Sequence, residues 1–344
     1  MPNFPQFEQI LGLHHVFRII TALAHNDYVE SMYKRFLNGN KTYSVTILGV
    51  KWIQTVEPAN VRYILSTKFE DFDLGRKRSR AFLPLMGKGI FTTDGEDWAH
   101  FRALLRPSFK RTQIANLDML ESHTSNLISA IPIDGSPIDL KPLFFRFTIN
   151  TSIEFLFGKR ISLLVFNSYS DGEYEAFGKA FEYAQAKLYR RIFLGGTVTL
   201  LDPKFKKSNK TVHNFVDGLV SRVMDEQRQT SEVLLQKTLV EDQEPIILAR
   251  ELAKDCQDPI QLRYHLIHIL QAGRDTSASL ISNTVFELAR NPSVWNKLRE
   301  EVGELVGRKP TYEELKHMRY LRNIIQECQL YQPLNLDDSR TEPS

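Results

Sequence analysis

Six consecutive residues, Ala272-Gly273-Arg274-Asp275-Thr276-Ser277, put a glycine, a charged pair and two hydroxyls inside a run of apolar residues at helical spacing. Leu262, Leu266, Ile269 and Leu270 set the phase upstream, and Leu280, Val285 and Leu288 carry it towards Arg290. Gly costs roughly 1 kcal/mol relative to Ala in a helix interior. A mid-helix Thr can donate back to the carbonyl four residues earlier, here Ala272, and bend the axis. Two outcomes fit: one distorted helix with a hydroxyl and a carboxylate beside a groove, or two helices with Asp275 or Thr276 capping the second. A second pair, Trp98 and Arg102, stands four residues apart and so shares a helix face. An indole N–H and a guanidinium fork together suit a carboxylate ligand. The simpler alternative is a packed Trp98 and a surface ion pair for Arg102.

The elements that must position these groups are mostly helical. Leu11 to Leu37 reads as one or two amphipathic helices, ended by the turn cluster Asn38-Gly39-Asn40. Tyr43, Val45 and Ile47 alternate with polar or small residues, Gly49 turns the chain, and Trp52, Gln54 and Val56 continue, which predicts a hairpin. Pro58 then opens a helix. From Trp98 onward helix dominates, with breaks near Asp134-Gly135-Ser136-Pro137, Gly195-Gly196 and Asp258-Pro259. The fold class is therefore mainly α, an α-rich α+β arrangement with a small N-terminal sheet.

Composition narrows the function classes. A net charge of +3 over 344 residues, with 42% hydrophobic and 25% charged residues, lacks the basic stripe of a nucleic-acid binder. Two basic clusters, Arg76-Lys77-Arg78 with Arg80 and Lys204, Lys206, Lys207 with Lys210, read as solvated loops. Cys256 and Cys328 form neither a metal-ligand spacing nor a disulfide framework. No apolar run approaches the roughly 18 residues of a membrane span, and the start near Pro2 and Pro5 lacks a signal-peptide pattern.

The stretch "LIHILQAGRDTSASLISNTVFELARNPSVWNKLREEV" (Leu266 to Val302) closely resembles the oxygen-activating helix and its successor in cytochrome P450 monooxygenases, most of all the fungal branch associated with alkanes and fatty acids. "TVEPANVRYILSTKFEDFDLG" (Thr55 to Gly75), "GIFTTDGEDWAHFRALLRPSF" (Gly89 to Phe109) and "FTINTSIEFLFG" (Phe147 to Gly158) resemble the family's first sheet edge and B, C and E helices, in the family's order. The resemblance implies a P450-like fold over residues 1–328, with a divergent polar tail at 329–344. It implies a haem cofactor with Trp98 and Arg102 on its propionates, and Ala272 and Gly273 beside it. Thr276 and Asp275 would be the alcohol and acid that handle dioxygen and its protons, and Phe91 would wall the substrate pocket, although an isolated Phe is more often core. The implied partners are an NADPH-cytochrome reductase and an apolar alkyl-chain substrate, and the implied place is the endoplasmic reticulum membrane. The family's N-terminal anchor is not evident, so an unanchored product would be cytoplasmic.

Two departures bear on function. Glu287 and Arg290 have E-x-x-R spacing, but Asn291-Pro292 follows, so they read as the end of the long helix. The family's own E-x-x-R helix should follow "HMRYLRNIIQE", making Glu327 its acidic member, yet Leu330 stands where its arginine belongs. An unpaired buried Glu327 would cost about 3–5 kcal/mol and predicts an unstable chain. The iron's thiolate ligand also lacks a candidate: Cys256 lies in "AKDCQDP", without the family's Phe, Gly or Arg, and sixteen residues follow Cys328. Two functions therefore stay open: a haem-dependent alkyl-chain hydroxylase, inactive as this chain stands, or a non-enzymatic truncated or mis-spliced product without haem.

Overall fold

The alternation of Tyr43, Val45 and Ile47 becomes strand β1 (Thr42–Ile47), which pairs antiparallel with β2 (Val50–Thr55) from Thr42↔Thr55 to Ile47↔Val50. Leu48 and Gly49 link them with φ of 48° and 74°. Left-handed φ at both positions is what a two-residue type I′ turn demands. In this computed structural model, residues 10–25, 27–37, 39–109, 117–168, 171–194, 202–234 and 247–331 are described. The turn residue Asn38, the Gly195-Gly196 break and the polar tail from residue 332 lie outside them.

The described residues group into two compact units. The first contains those up to Ala99, with Phe177–Val212. Helices α1 (Leu13–Ala24) and α2 (Tyr28–Lys34) precede the hairpin, and α3 (Pro58–Arg62) and α4 (Gly75–Met86) follow it. Ile19 of α1 packs with Tyr43, Val45 and Ile47, and Val16, Tyr28, Phe36 and Trp52 close over them. The inward face of β1 thus supplies three of the four buried residues, as its period of two requires.

Helix α4 carries an internal proline, Pro84. Proline has no N–H, so the carbonyl four residues earlier, on Arg80, loses its helical donor. Arg191, on the helix α8 (Asp171–Leu194), replaces it: Nη2 donates to the Arg80 carbonyl at 3.3 Å and Nε to the Ala81 carbonyl at 2.9 Å. The buried guanidinium also lies 5.4 Å from the Phe205 ring centre, and burial lowers its pKa.

The two basic clusters are helical, not loops. Arg76, Lys77, Arg78 and Arg80 lie on α4, and Lys204, Lys206, Lys207 and Lys210 open α9 (Pro203–Leu234). Long basic side chains lay their stems on apolar surface: Lys77 Nζ stands 4.7 Å over Trp52, Arg78 5.3 Å over Phe82, and Lys204 Nζ 4.2 Å over Tyr183. Those contacts, with good helix propensity, outweigh the repulsion that suggested loops.

The second unit contains His100–Ala176 and the described residues from His213 on. Its centre is the packing of α7 (Lys141–Ser168) against α11 (Pro259–Arg290), joined by α6 (Leu117–Ser129) and α10 (Leu248–Asp255) on α7. Ile149, Ile153, Leu156 and Phe157 of α7 and Leu262, Leu266, Ile267 and Leu270 of α11 are buried. His123 Nε2 and Glu154 Oε2, 2.8 Å apart, tie α6 to α7. Gly158 interrupts α7 at φ 79°, where a Cβ would stand 2.7 Å from Ile247 Cδ1, so conformation and space both require glycine.

Downstream come α12 (Pro292–Gly303), α13 (Tyr312–His317) and α14 (Arg319–Tyr331). Glu301 of α12 accepts from the Tyr320 and Leu321 amides at 2.9 Å, satisfying orphan donors in the first turn of α14. Leu288, Leu298, Ile324 and Cys328 form the cluster that α14 closes. The apolar stripe of α11 is interrupted near its end, since Val285 and Phe286 are exposed.

Candidate functional site

Helix α11 is continuous from Pro259 to Arg290. Its N-cap is Asp258, whose side chain accepts from the Ile260 amide at 2.9 Å, with Pro259 in the first turn. Neither Asp275 nor Thr276 begins a new helix, so the two-helix alternative is removed. Thr276 Oγ1 donates to the Ala272 carbonyl at 2.6 Å. Its proton is thereby committed, and the oxygen lone pairs remain to accept a hydrogen bond. Ala272 is exposed and Thr276 half-buried, one turn apart, so they form an open strip on the helix.

Arg274 and Asp275 turn the other way and are 5% and 8% exposed. Arg274 Nη1 donates to Asp275 Oδ1 at 2.8 Å, and its guanidinium lies 4.8 Å from the Phe145 ring centre on α7. Adjacent helical residues do not normally face each other, so the spacing gave no sign of this pair.

Gly273 has a reason of its own. A Cβ there would stand 2.7 Å from Ser152 Oγ of α7. Gly→Ala in a helix interior ordinarily stabilises by up to about 1 kcal/mol, but overpacking costs about 1–3 kcal/mol. Gly273→Ala should therefore destabilise the chain by up to about 2 kcal/mol in a urea melt, and Ser152→Ala should remove most of the loss. Stabilisation by Gly273→Ala alone would show that the seam has room to spare.

Trp98 and Arg102 share α5 (Gly95–Leu105). Trp98 is half-buried with its ring 5.4 Å from Phe69, and Arg102 is exposed. Phe91, also half-buried, sits in a turn stitched by Thr92 Oγ1 to the Gly87 carbonyl at 2.7 Å and Thr93 Oγ1 to the Gly89 carbonyl at 2.9 Å. Asp94 ends that turn and accepts from the Leu74 and Gly75 amides at 2.8 and 3.1 Å, fixing it to the start of α4. Phe91 and Trp98 belong to the first unit; Arg102, Ala272 to Thr276 and Glu327 belong to the second.

Glu327 requires a correction. It is exposed on α14, on the flank of the Ile324–Cys328 stripe, and makes no ion pair among the described residues. Water solvates the carboxylate, so the buried-charge penalty does not arise and instability cannot be argued from it. Glu287 and Arg290 do close α11, and Arg290 stacks 5.2 Å from the Phe286 ring centre.

His265, on α11, was not singled out by sequence. It is 2% exposed, its ring 4.8 Å from that of Phe101, with Gln261 Nε2 at 3.3 Å. Burial, with the charge of His100 second, lowers its pKa to about 4. Two histidines, His265 and His268, within the mainly apolar stretch Leu262 to Leu270 were the available signal.

Cys256 is half-buried and donates Sγ–H to the Asp258 carbonyl at 3.6 Å; burial raises its thiol pKa. Cys328 is buried in the apolar cluster of α14. No group of three or more His, Cys, Asp or Glu among the described residues is arranged to hold a metal ion.

The sequence model of the cytochrome P450 family matches residues 5–338, running past Cys328. The chain belongs to that family. This P450 chain is 36% identical over 336 residues to cytochrome P450 monooxygenase himC of Aspergillus japonicus, covering 96% of the chain and 59% of that protein. It is 39% identical over 309 residues to cytochrome P450 52A4 of Candida maltosa, covering 85% and 56%. The chain thus spans less than two-thirds of these relatives. The crystal structure of a cytochrome P450DA heme domain matches 96% of the P450 chain and 69% of its own at a TM-score of 0.68 and 18% identity, a likeness of fold.

The family's haem can be tested against these residues. The Trp98 indole N–H and the exposed Arg102 guanidinium are each donors of a kind that carboxylates accept from, and on α11 Ala272 is exposed beside Gly273. Cys256 is a half-buried thiol whose pKa is raised by burial, and Cys328 sits among apolar side chains.

Proposed function

We propose that this chain carries the haem-carboxylate and oxygen-handling residues of a monooxygenase that hydroxylates apolar alkyl chains such as n-alkanes or fatty acids. The observation that carries this proposal is the open Ala272–Thr276 strip on an unbroken helix, with the Asp275 carboxylate next in sequence but buried on the opposite side against Arg274. Haem, when bound, supplies the activation of dioxygen with electrons from an NADPH-cytochrome reductase. Thr276 offers a hydroxyl on the open side and Asp275 a group that can hold and release a proton. Trp98 and Arg102 bind the propionates, and Phe91 walls the alkyl chain. The resemblance to the fungal alkane branch supplies the substrate class and the endoplasmic reticulum membrane as the place of action. No helix among the described residues is long and apolar enough to cross a membrane.

A second reading, a chain with no haem and no enzymatic activity, is favoured by the chemistry of Cys256 and Cys328. Haem titration separates the two. Saturable binding near one equivalent is expected, weakened about tenfold by Arg102→Ala, because a hydrogen bond to a charged group contributes about 1.5–3 kcal/mol. Trp98→Phe should weaken it less, and Thr276→Ala should leave it unchanged. Failure to saturate, or indifference to Arg102→Ala, would leave the haem-free reading standing.

A further inference from the structure

We infer that Arg274 is a positioning residue for Asp275, holding its carboxylate ionised inside the seam between α7 and α11. The consequence for chemistry rests on the proposed role of Asp275; the ionisation itself does not.

A carboxylate as buried as Asp275 disfavours its charged form and, without a partner, takes up a proton near neutral pH. Arg274 stays protonated at any working pH and supplies a donor at 2.8 Å. Phe145 fixes where that guanidinium can sit, 4.8 Å from its ring centre. The close approach of α7 at Gly273, set by Ser152, brings Phe145 within reach. Among the described residues, Arg146 of α7 and Tyr174 of α8 are ionisable groups close to Arg274. Tyr174 donates to Asn150 Oδ1 at 2.5 Å, and its pKa is raised by burial against the opposing influence of Arg274 and Arg146. Arg274 and Arg146 both act on Tyr174, and positive charge of that kind favours the ionised form of a neighbouring carboxylate.

Ionised and turned away from the Ala272–Thr276 strip, Asp275 can accept a proton but cannot yet donate one. It becomes a donor only after protonation, which also loosens its bond to Arg274. Arg274 thereby sets the order in which the acid loads and unloads.

Infrared spectroscopy of the haem-free chain with carboxyl-13C aspartate reads this directly. At pH 7 the wild type should show no protonated-acid band that Asp275→Asn removes. Arg274→Met should show one, absent from Arg274→Met/Asp275→Asn, because loss of the partner moves protonation up by roughly 3 pH units or more. Arg274→Lys, which keeps the charge, should abolish the band again. Lack of the band in a folded Arg274→Met variant overturns the inference. If that variant does not fold, acid titration of the wild type against Asp275→Asn decides. The Asp275 band should appear only below the ordinary Asp value of about 3.9, and its appearance at or above that pH overturns the inference. Haem binding plays no part in the readout, so failure of the titration above and failure here are separate results.

Discussion

Arg191→Met should cost the chain about 2–4 kcal/mol, and Pro84→Ala should recover a defined part of that loss. Pro84 deprives the Arg80 carbonyl of its helical donor, and Arg191 supplies the substitute while also bonding the Ala81 carbonyl. Leaving a buried acceptor without a partner costs about 1–3 kcal/mol. The relief of no longer burying a guanidinium offsets some of it. Alanine at 84 restores an N–H to the Arg80 carbonyl, so Arg191→Met in that background should cost about 1–2 kcal/mol less. Urea melts of the four proteins give the cycle. Equal costs of Arg191→Met in both backgrounds would mean that Arg191 packs there without replacing the missing donor.

Acid should destabilise the chain well before its carboxylates titrate, and His265 should account for about 3 kcal/mol of the effect. The sign follows from the direction of the shift. His265 has a folded-state pKa of about 4 against the ordinary 6.5, so the unfolded chain binds the proton more readily. Its contribution is intact above pH 6.5, falls as the pH drops through that value, and is lost by about pH 4. The total is the shift multiplied by about 1.36 kcal/mol per unit. His15, wholly buried in the first unit, is lowered to about 4 by burial and by Arg35, and acts in the same window. His265→Leu should be less stable at pH 7.5 if its contacts with Gln261 and Phe101 matter, but its stability should fall by about 3 kcal/mol less between pH 7.5 and 4. Parallel pH profiles for variant and wild type would show that His265 is solvated before the chain unfolds.

Sequence carried the framework of the second unit well because its signals were periodic. Leu262, Leu266 and Leu270 recur every four residues, and Asp258-Pro259 supplies a cap and a first-turn proline, so the start and first half of α11 were legible in the residues themselves, while its continuity past Gly273 was not. The hairpin was legible for the same reason, through Tyr43, Val45 and Ile47. What could not be read depended on direction rather than period. Arg274 and Asp275 meet because a long side chain folds back under Phe145, a contact made by another helix. The exposure of Glu327 likewise depends on which flank of α14 is covered, and Ile324 with Cys328 pack with Leu288 and Leu298 instead. Lys204 and its neighbours looked like a loop because charge density was visible and the aromatic ring of Tyr183 beneath was not. Gly273 was readable as a small residue beside a site, while Ser152, which makes the small size necessary, lies far away in sequence.

The carbon monoxide spectrum of the haem-reconstituted, reduced protein is the most direct test. The proposal under test is that Trp98 and Arg102 bind the haem propionates, that the Ala272–Thr276 strip faces oxygen, and that neither Cys256 nor Cys328 ligates the iron. The expected result is bound haem, weakened by Arg102→Ala, with no thiolate-type Soret band and a spectrum unchanged by Cys256→Ser or Cys328→Ser. A stoichiometric thiolate-type band that survives Cys256→Ser and disappears with Cys328→Ser would contradict it, and would mean that Cys328 leaves its apolar cluster to reach the iron.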